Sequence, residues 1–184
     1  AMRIDAGSHK GLKLVAPEGV DTRPTADRAR QAVFNILAHT YDAMRGAKVL
    51  DVFAGSGALG LEALSRGAER LTLIENERNA AAAIKKNIAA CREQTRAQLF
   101  AVDAMKPPRA MPGAWAPCAL VFLDPPYGKE LVQPALEALR GAGWIAPEAI
   151  IVAEMHRRDA FTVPDGFALL DDRGYGKARF ILLR

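Results

Sequence analysis

The 184-residue sequence has little cysteine, histidine or aromatic content: two Cys, three His and 7% Phe, Trp and Tyr. Cys91 and Cys118 are far apart and form no CxxC pair. Neither a disulfide framework nor a thiolate metal site is therefore expected, and a reducing cytoplasm is the expected compartment. Both cysteines are expected as small buried hydrophobes. His9, His39 and His156 show no metal-ligand spacing, so no metal is expected. No apolar run approaches the ~20 residues that span a bilayer. Ala1-Met2-Arg3-Ile4 carries no signal-like apolar stretch either, so a membrane is not an expected partner. Internal repeats and low-complexity tracts are absent. Net charge is only +4, which permits a polyanionic partner without demanding one. The basic residues do crowd the start: Arg3, Lys10, Lys13, Arg23, Arg28 and Arg30 face Asp5, Glu18, Asp21 and Asp27 in sequence.

What is present is ordinary globular material, 50% apolar and 25% charged, enough for one domain with a small appendage. Residues 3–15 alternate weakly around Gly7 and Gly11 and suggest a short hairpin. Thr25 can cap a helix over roughly 26–40, with Ala29, Val33, Ile36, Leu37 and Thr40 on one face. After Gly46 strands and helices alternate. Strands are expected at "AKVLDVF", "RLTLIE", "AQLFAVDA", "CALVFLDPP" and "EAIIVAEM". Helices are expected at "GALGLEALSRG", ending at Gly67, at "NERNAAAAIKKNIAAC", and at "KELVQPALEALRGAG", where Pro134 falls in the first turn. "FALLDDRGYGKARFILLR" reads as a final hairpin turning at Asp172–Lys177. This pattern implies an α/β fold: a parallel sheet covered on both faces, with a terminal antiparallel hairpin. The division expected is 2–45 as an N-terminal hairpin-and-helix extension and 46–184 as the main domain.

"VLDVFAGSGALGLEAL" places Gly55, Gly57 and Gly60 in G-x-G-x-x-G spacing between a strand and a helix. Glycines there let the chain turn sharply and let a ligand approach main-chain N–H groups. Glu75, with Asn76 beside it, ends the next strand where a carboxylate can accept from both ribose hydroxyls. The loop alone leaves a dinucleotide and another adenosyl ligand open. Asp51, four residues before Gly55, is poorly placed for a pyrophosphate but suits a sulfonium ligand with a cationic amine. Asp103 and Ala104 could add an acceptor for an adenine amine.

"LVFLDPPYG", 120–128, ends an apolar strand in an acid, two prolines and a ring. In an open α/β sheet this tip lies beside the glycine loop. Asp124 and the Pro125 carbonyl can each accept an N–H from a planar amine, aiming its lone pair and stabilising positive charge on nitrogen. Pro125 and Pro126 keep the loop stiff, and Tyr127 offers a stacking face worth ~1–3 kcal/mol per base. The residues thus point to methyl transfer onto an aromatic amine. A nicotinamide-dependent oxidoreductase and a non-catalytic RNA-binding assembly factor are the rival readings.

D-x-F-x-G-x-G followed by D-P-P-Y resembles the S-adenosylmethionine-dependent amino-methyltransferases. The whole chain resembles the RsmD-type 16S ribosomal RNA guanine-N2 methyltransferases. The likeness is carried by "RIDAGSHKGLKL", "TRPTADRARQAVFNIL", "VLDVFAGSGALGLEALSRGA", "FLDPPY" and "GYGKARF". The resemblance implies a Rossmann-like class I sheet of seven mostly parallel strands, S-adenosylmethionine as methyl donor, and guanine in small-subunit ribosomal RNA as acceptor. A monomer is expected. Cofactor roles carry onto Phe53, Ala54, Gly55, Ser56 and Gly57, with Asp51, Glu75, Asn76, Asp103 and Ala104. Catalytic roles fall on Asp124, Pro125, Pro126 and Tyr127. Thr22 to Thr25 are expected near the methionine end, Arg23 and Thr25 among them. Lys10, Arg23, Arg28 and Arg30 are expected to face RNA. Adenine-N6 or another amino-methylation is the alternative within this reading, since each acceptor presents the same planar NH₂. Two departures stand out: Gln31 replaces an expected Glu, and Asp5 interrupts an apolar strand.

Overall fold

The computed structural model describes residues 2–19, 24–126 and 128–184, and for 24–26 the backbone only. Arg23, Tyr127 and the side chain of Thr25 therefore lie outside the described residues. The chain opens with a two-stranded hairpin, β1 (Met2–Arg3) against β2 (Lys13–Leu14), followed by α1 (Pro24–His39). There follow β3 (Lys48–Val52), α2 (Ala58–Ser65), β4 (Arg70–Ile74), α3 (Arg78–Cys91) and β5 (Ala97–Phe100). The remainder is β6 (Cys118–Leu123), α4 (Val132–Gly141), β7 (Ile145–His156), β8 (Leu169–Tyr175) and β9 (Ala178–Leu183). Among the described residues no helix is long and apolar enough to cross a membrane.

Seven strands form one sheet in the order β5-β4-β3-β6-β7-β9-β8. The first five are mutually parallel, while β9 pairs antiparallel with both β7 and β8. This is the expected sheet with its terminal antiparallel hairpin. The strand order reverses between β3 and β6, which opens a crevice at their carboxyl ends.

Alternation along each strand sorts side chains into two cores, as the period of two requires. Val49, Leu120, Phe122, Ile150 and Val152 face α1, α2 and α3. Leu50, Val52, Val121, Leu123, Ile151 and Ala153 face α4 and the loop between β5 and β6. The Phe34 ring of α1 lies 5.5 Å from that of Phe122. Residues 2–45 share the first of these cores, through Met2, Ile4, Leu14, Ala29, Val33 and Leu37. Trp144, on the second face, donates Nε1–H to the Pro108 carbonyl at 2.7 Å and packs as a core residue. Cys91 and Cys118 are buried as small apolar groups, and burial pushes their thiols up to about 11 and about 12.

Several ends differ from expectation. α1 starts at Pro24, so Thr25 lies inside the first turn rather than capping it. Proline suits that place because its fixed φ is helical and its missing N–H has no intrahelical partner there. β5 stops at Phe100, leaving 101–104 irregular. β7 begins at Ile145 and absorbs a register shift against β6 between Cys118 and Leu120. The final turn is tighter than expected: β8 runs to Tyr175, which pairs with Ala178, because Arg179 grips Asp172 across the ladder at 2.7 Å. The end of α2 is as expected. Gly67 has φ +114, with Gly67 N–H donating to Leu64 O at 3.2 Å and Ala68 N–H to Ala63 O at 3.0 Å, a Schellman closure.

The hairpin is moored to α2 by two polar side chains one turn apart. Glu62, 1% exposed, accepts from Asp5 N–H at 2.8 Å, Ala6 N–H at 3.2 Å and Arg66 Nε at 2.8 Å. Ser65 donates to Ala6 O at 2.6 Å and accepts from His9 N–H at 2.9 Å. Gly7 lies against Ser65 at φ +88, where a Cβ would collide with the Ser65 carbonyl. Gly7→Ala is expected to cost roughly 2–4 kcal/mol through overlap and strain together. Thermal unfolding with hydrogen exchange over 2–14 measures it; wild-type stability and protection would refute that docking account.

Candidate active site

Three strand ends meet at the crevice. After β3 the chain turns through Phe53, a non-glycine residue at φ +56, and Gly55 at φ +60. Gly57, at φ +80, precedes α2. The three glycines serve different ends. A Cβ at Gly55 would meet nothing within 4 Å, leaving its face open to a ligand. A Cβ at Gly60 would lie 2.5 Å from Leu71 Cδ1, so only glycine lets α2 approach the sheet this closely.

Asp51 is 1% exposed, and its Oδ2 accepts from Gly60 N–H at 2.9 Å. Its Oδ1 is buried with no hydrogen-bond partner among the described residues. Burial pushes the carboxyl up to about 8, against the Gly60 hydrogen bond and with help from the Glu75 charge. An orphaned buried carboxylate oxygen costs free energy in the absence of a donor, and a cationic donor at this point would supply what the carboxyl lacks. Glu75 is half-buried; it accepts from Gly55 N–H at 2.8 Å through Oε1 and from Glu77 N–H at 2.9 Å through Oε2. These bonds orient it while leaving each oxygen capacity for a further donor.

Asp124 follows β6, and its N–H reaches back to Val52 O at 3.3 Å, which holds the D-P-P tip against the end of β3. The residue is partly accessible. Its carboxyl is nonetheless held well above the usual range, first by desolvation and then by Glu154, with Asp51 and Glu75 adding repulsion. Parity puts Asp124 on the same sheet face as Phe122 and Asp51, under α1. The prolines turn their other side to a separate cleft of about 560 Å³ lined by Pro125, Pro126, Leu131, Met155 and Phe161. That cleft lies on the α4 side, and its lining includes none of Asp51, Glu75 and Asp124.

The remaining expected residues are distributed as follows. Ser56 is spent internally: its Oγ accepts from Ala58 N–H at 3.3 Å and lies 3.6 Å from Met2 Sδ, so only its main chain can serve a ligand. Ala54 N–H bonds Ile74 O at 3.2 Å. Asn76 is exposed beside Glu75. Asp103 sits in the turn beyond β5 with Oδ1 accepting from Met105 N–H at 2.9 Å, while Ala104 is buried. Lys10 and Arg28 are exposed. The Arg30 side chain is 12% exposed and bound to Asp27 at 2.7 Å, a poorer posture for a phosphate.

Two residues were missed by sequence reasoning. Asn87 of α3 donates to Ser56 O at 2.8 Å and Val15 O at 2.9 Å and accepts from Val15 N–H at 2.8 Å, tying the glycine loop to the segment that follows β2. Glu154 of β7 stands beside Asp124 and, after burial, does most to hold its carboxyl up. The only signal available was its place near the end of an apolar strand, which marks many solvated acids too.

A family model described as "Conserved hypothetical protein 95" matches residues 2–184. Ribosomal RNA small subunit methyltransferase D of Escherichia coli K12 is 37% identical over 182 residues, covering 98% of this chain and 88% of its own length. The solved Escherichia coli chain yhhF, also 37% identical, superposes with a TM-score of 0.83 over 99% of this chain and 96% of that one. SMU.776, solved with SAH, shares the fold at a TM-score of 0.59 and 14% identity, over 84% of this chain and 48% of its own. With the glycine loop, the D-P-P tip and the inserted β9 all in place, the chain belongs to the family of RsmD-type methyltransferases.

Proposed function

We propose that this protein methylates the exocyclic N2 amine of a guanine in small-subunit ribosomal RNA, with S-adenosylmethionine as donor. The observation that carries this reading is the Asp124 N–H to Val52 O contact, which brings an acceptor corner against the glycine loop. Family membership supports the reaction class, and the name of the Escherichia coli relative supports the ribosomal substrate.

When bound, the donor supplies an electrophilic methyl on a positively charged sulfur. Asp51, with its unpartnered Oδ1, and the carboxylate of Glu75 are the residues that would hold its cationic amine and ribose. Main-chain groups of Phe53 to Gly57, together with Asn76, Asp103 and Ala104, complete the cradle, with Arg23 and Thr25 serving its methionine end. On the acceptor side, Asp124 and the Pro125 carbonyl each take one N–H of the amine, which orients nitrogen and offsets the charge it acquires. Pro126 stiffens the corner and Tyr127 stacks on the base. The base must leave its stack or be found unpaired for its amine to reach the corner. Lys10, Arg23, Arg28 and Arg30 supply phosphate contacts, which makes binding salt-dependent.

The test is transfer of labelled methyl to small ribosomal subunits that lack the modification, followed by mass mapping of the RNA. Label on a guanine N2 is the expected result. Label on adenine, on protein or nowhere would overturn the reading.

A further inference from the structure

Beside Asp124 at the acceptor corner stands a second titratable group to which no role has been given, Glu154. The β6–β7 ladder pairs Phe122 with Val152 and Leu123 with Ala153. The next pair in that register is Asp124 and Glu154, on the face that holds Asp51 and lies under α1. Burial first, and then the neighbouring Glu154 carboxyl, hold the Asp124 carboxyl well above the usual range. Glu154 is half-buried, fixed in the strand between β6 and β9, where it pairs with Phe180.

We infer that Glu154 is a specificity-determining residue: with Asp124 and the Pro125 carbonyl it forms a row of three acceptors that takes the donor edge of guanine. Guanine is the base whose exocyclic amine is flanked by a ring N–H. Adenine N6 and cytosine N4 are flanked by bare ring nitrogens. By strand register Glu154 lies to one side of Asp124, on β7, and Pro125 follows Asp124 along its own chain. That order matches N1–H, the near N2–H and the far N2–H of one guanine. A flipped base is read through hydrogen bonds to its Watson–Crick edge, so this is the edge presented. The inference rests on the methyltransferase reading above and supplies its choice of base.

A proton on Asp124 bears on the outcome. A carboxylic acid can donate to a bare ring nitrogen, whereas a carboxylate can only accept. Guanine binding therefore expels a proton held on Asp124, and methylation should rise with pH as Asp124 ionises. The charged groups facing Asp124 are Glu154 from β7, Asp51 from β3 and Glu75 after β4. Lys129 and Glu130 on its own loop are exposed. The desolvation and repulsion that hold the Asp124 carboxyl up put this ionisation above the usual carboxylate range.

The test uses the full chain, the methyl donor, small subunits lacking the modification, and the variants Glu154→Gln and Glu154→Ala. Methyl transfer is followed from acid to alkaline pH, with guanosine and 2-aminopurine riboside as competing inhibitors. The second nucleoside keeps the amine but has a bare N1. Wild type should prefer guanosine, and Glu154→Ala should lose that preference along with about 10- to 100-fold of kcat/KM. Glu154→Gln removes the neighbouring charge that raises the Asp124 carboxyl, so the acid limb of its profile should move to lower pH. A Glu154 that acts only on Asp124 or on the fold would leave the preference for guanosine unmoved in Glu154→Ala, and that result overturns the inference while the methyltransferase reading stands. Wild-type transfer to adenine, or to no RNA, overturns both.

Discussion

Asp124→Ala should lower kcat by about 10²- to 10³-fold while changing the affinity for S-adenosylmethionine by no more than a few fold. Removing one preorganised electrostatic partner of a developing charge typically costs that much, and in the proposed site Asp124 and the Pro125 carbonyl are the groups that take the N–H bonds of the acceptor nitrogen. The proposed donor pocket draws on other residues: Asp51 hangs on Gly60, Glu75 on Gly55 and Glu77, and none of those bonds involves Asp124. Relief of repulsion in the carboxylate cluster even favours a small gain in stability for the variant. Asp124→Asn should fall less, because the amide oxygen still accepts one N–H. Single-turnover methyl transfer and calorimetric titration separate the two effects. Wild-type turnover in Asp124→Ala would show that the corner does not act on the amine.

Asp51→Asn should weaken binding of the methyl donor and stabilise the free protein. In the free protein the Asp51 carboxyl is pushed up to about 8, from an ordinary 3.8. The native state therefore holds a proton that the unfolded chain has released. Stability from this group is complete below the ordinary value and drains away as pH rises towards and through about 8. Asparagine has no charge to desolvate and keeps an oxygen for Gly60 N–H. Above pH 8 the variant should be more stable by on the order of a few kcal/mol, or roughly 5–10 °C in Tm. Donor binding moves the other way. A cation draws the proton off Asp51, so wild-type affinity should tighten as pH rises towards about 8 and then level. In the variant the affinity should be about 10- to 100-fold weaker, as loss of a charged hydrogen bond implies, with that pH dependence gone. Thermal melts and titrations across pH measure both, and parallel pH curves in the two proteins would show that Asp51 does not meet the cation.

Local patterns carried well from sequence to structure. The Gly67 closure of α2, Pro134 in the first turn of α4 and the apolar strands at 119–123 and 149–153 are each decided by residues within a few positions. What sequence did not disclose depends on partners far along the chain. Asn87 is 72 positions from Val15, and its amide reads as surface polarity in an alanine-rich helix. Glu62 sits in a helix interior, where its hold on Asp5 and Ala6 has no local sign. Glu154 acquires meaning only once the β6–β7 register sets it opposite Asp124. Ser56 shows the converse: a loop hydroxyl that looks available to a ligand is taken by Ala58 N–H beside Met2. Motif spacing reveals which backbone can hold a ligand; it does not reveal which side chains are already occupied.

The position of β9 sets a timetable for the nascent chain. A ribosome delivers β8 before β9, yet β8 joins the sheet only through β9. Until residues 178–183 emerge, β8 has nowhere to dock and the flank of β7 that carries Glu154 stays a bare edge, open to sticking to other polypeptides. Cover for that edge of β7 thus waits for β9, a long-range closure that slows folding.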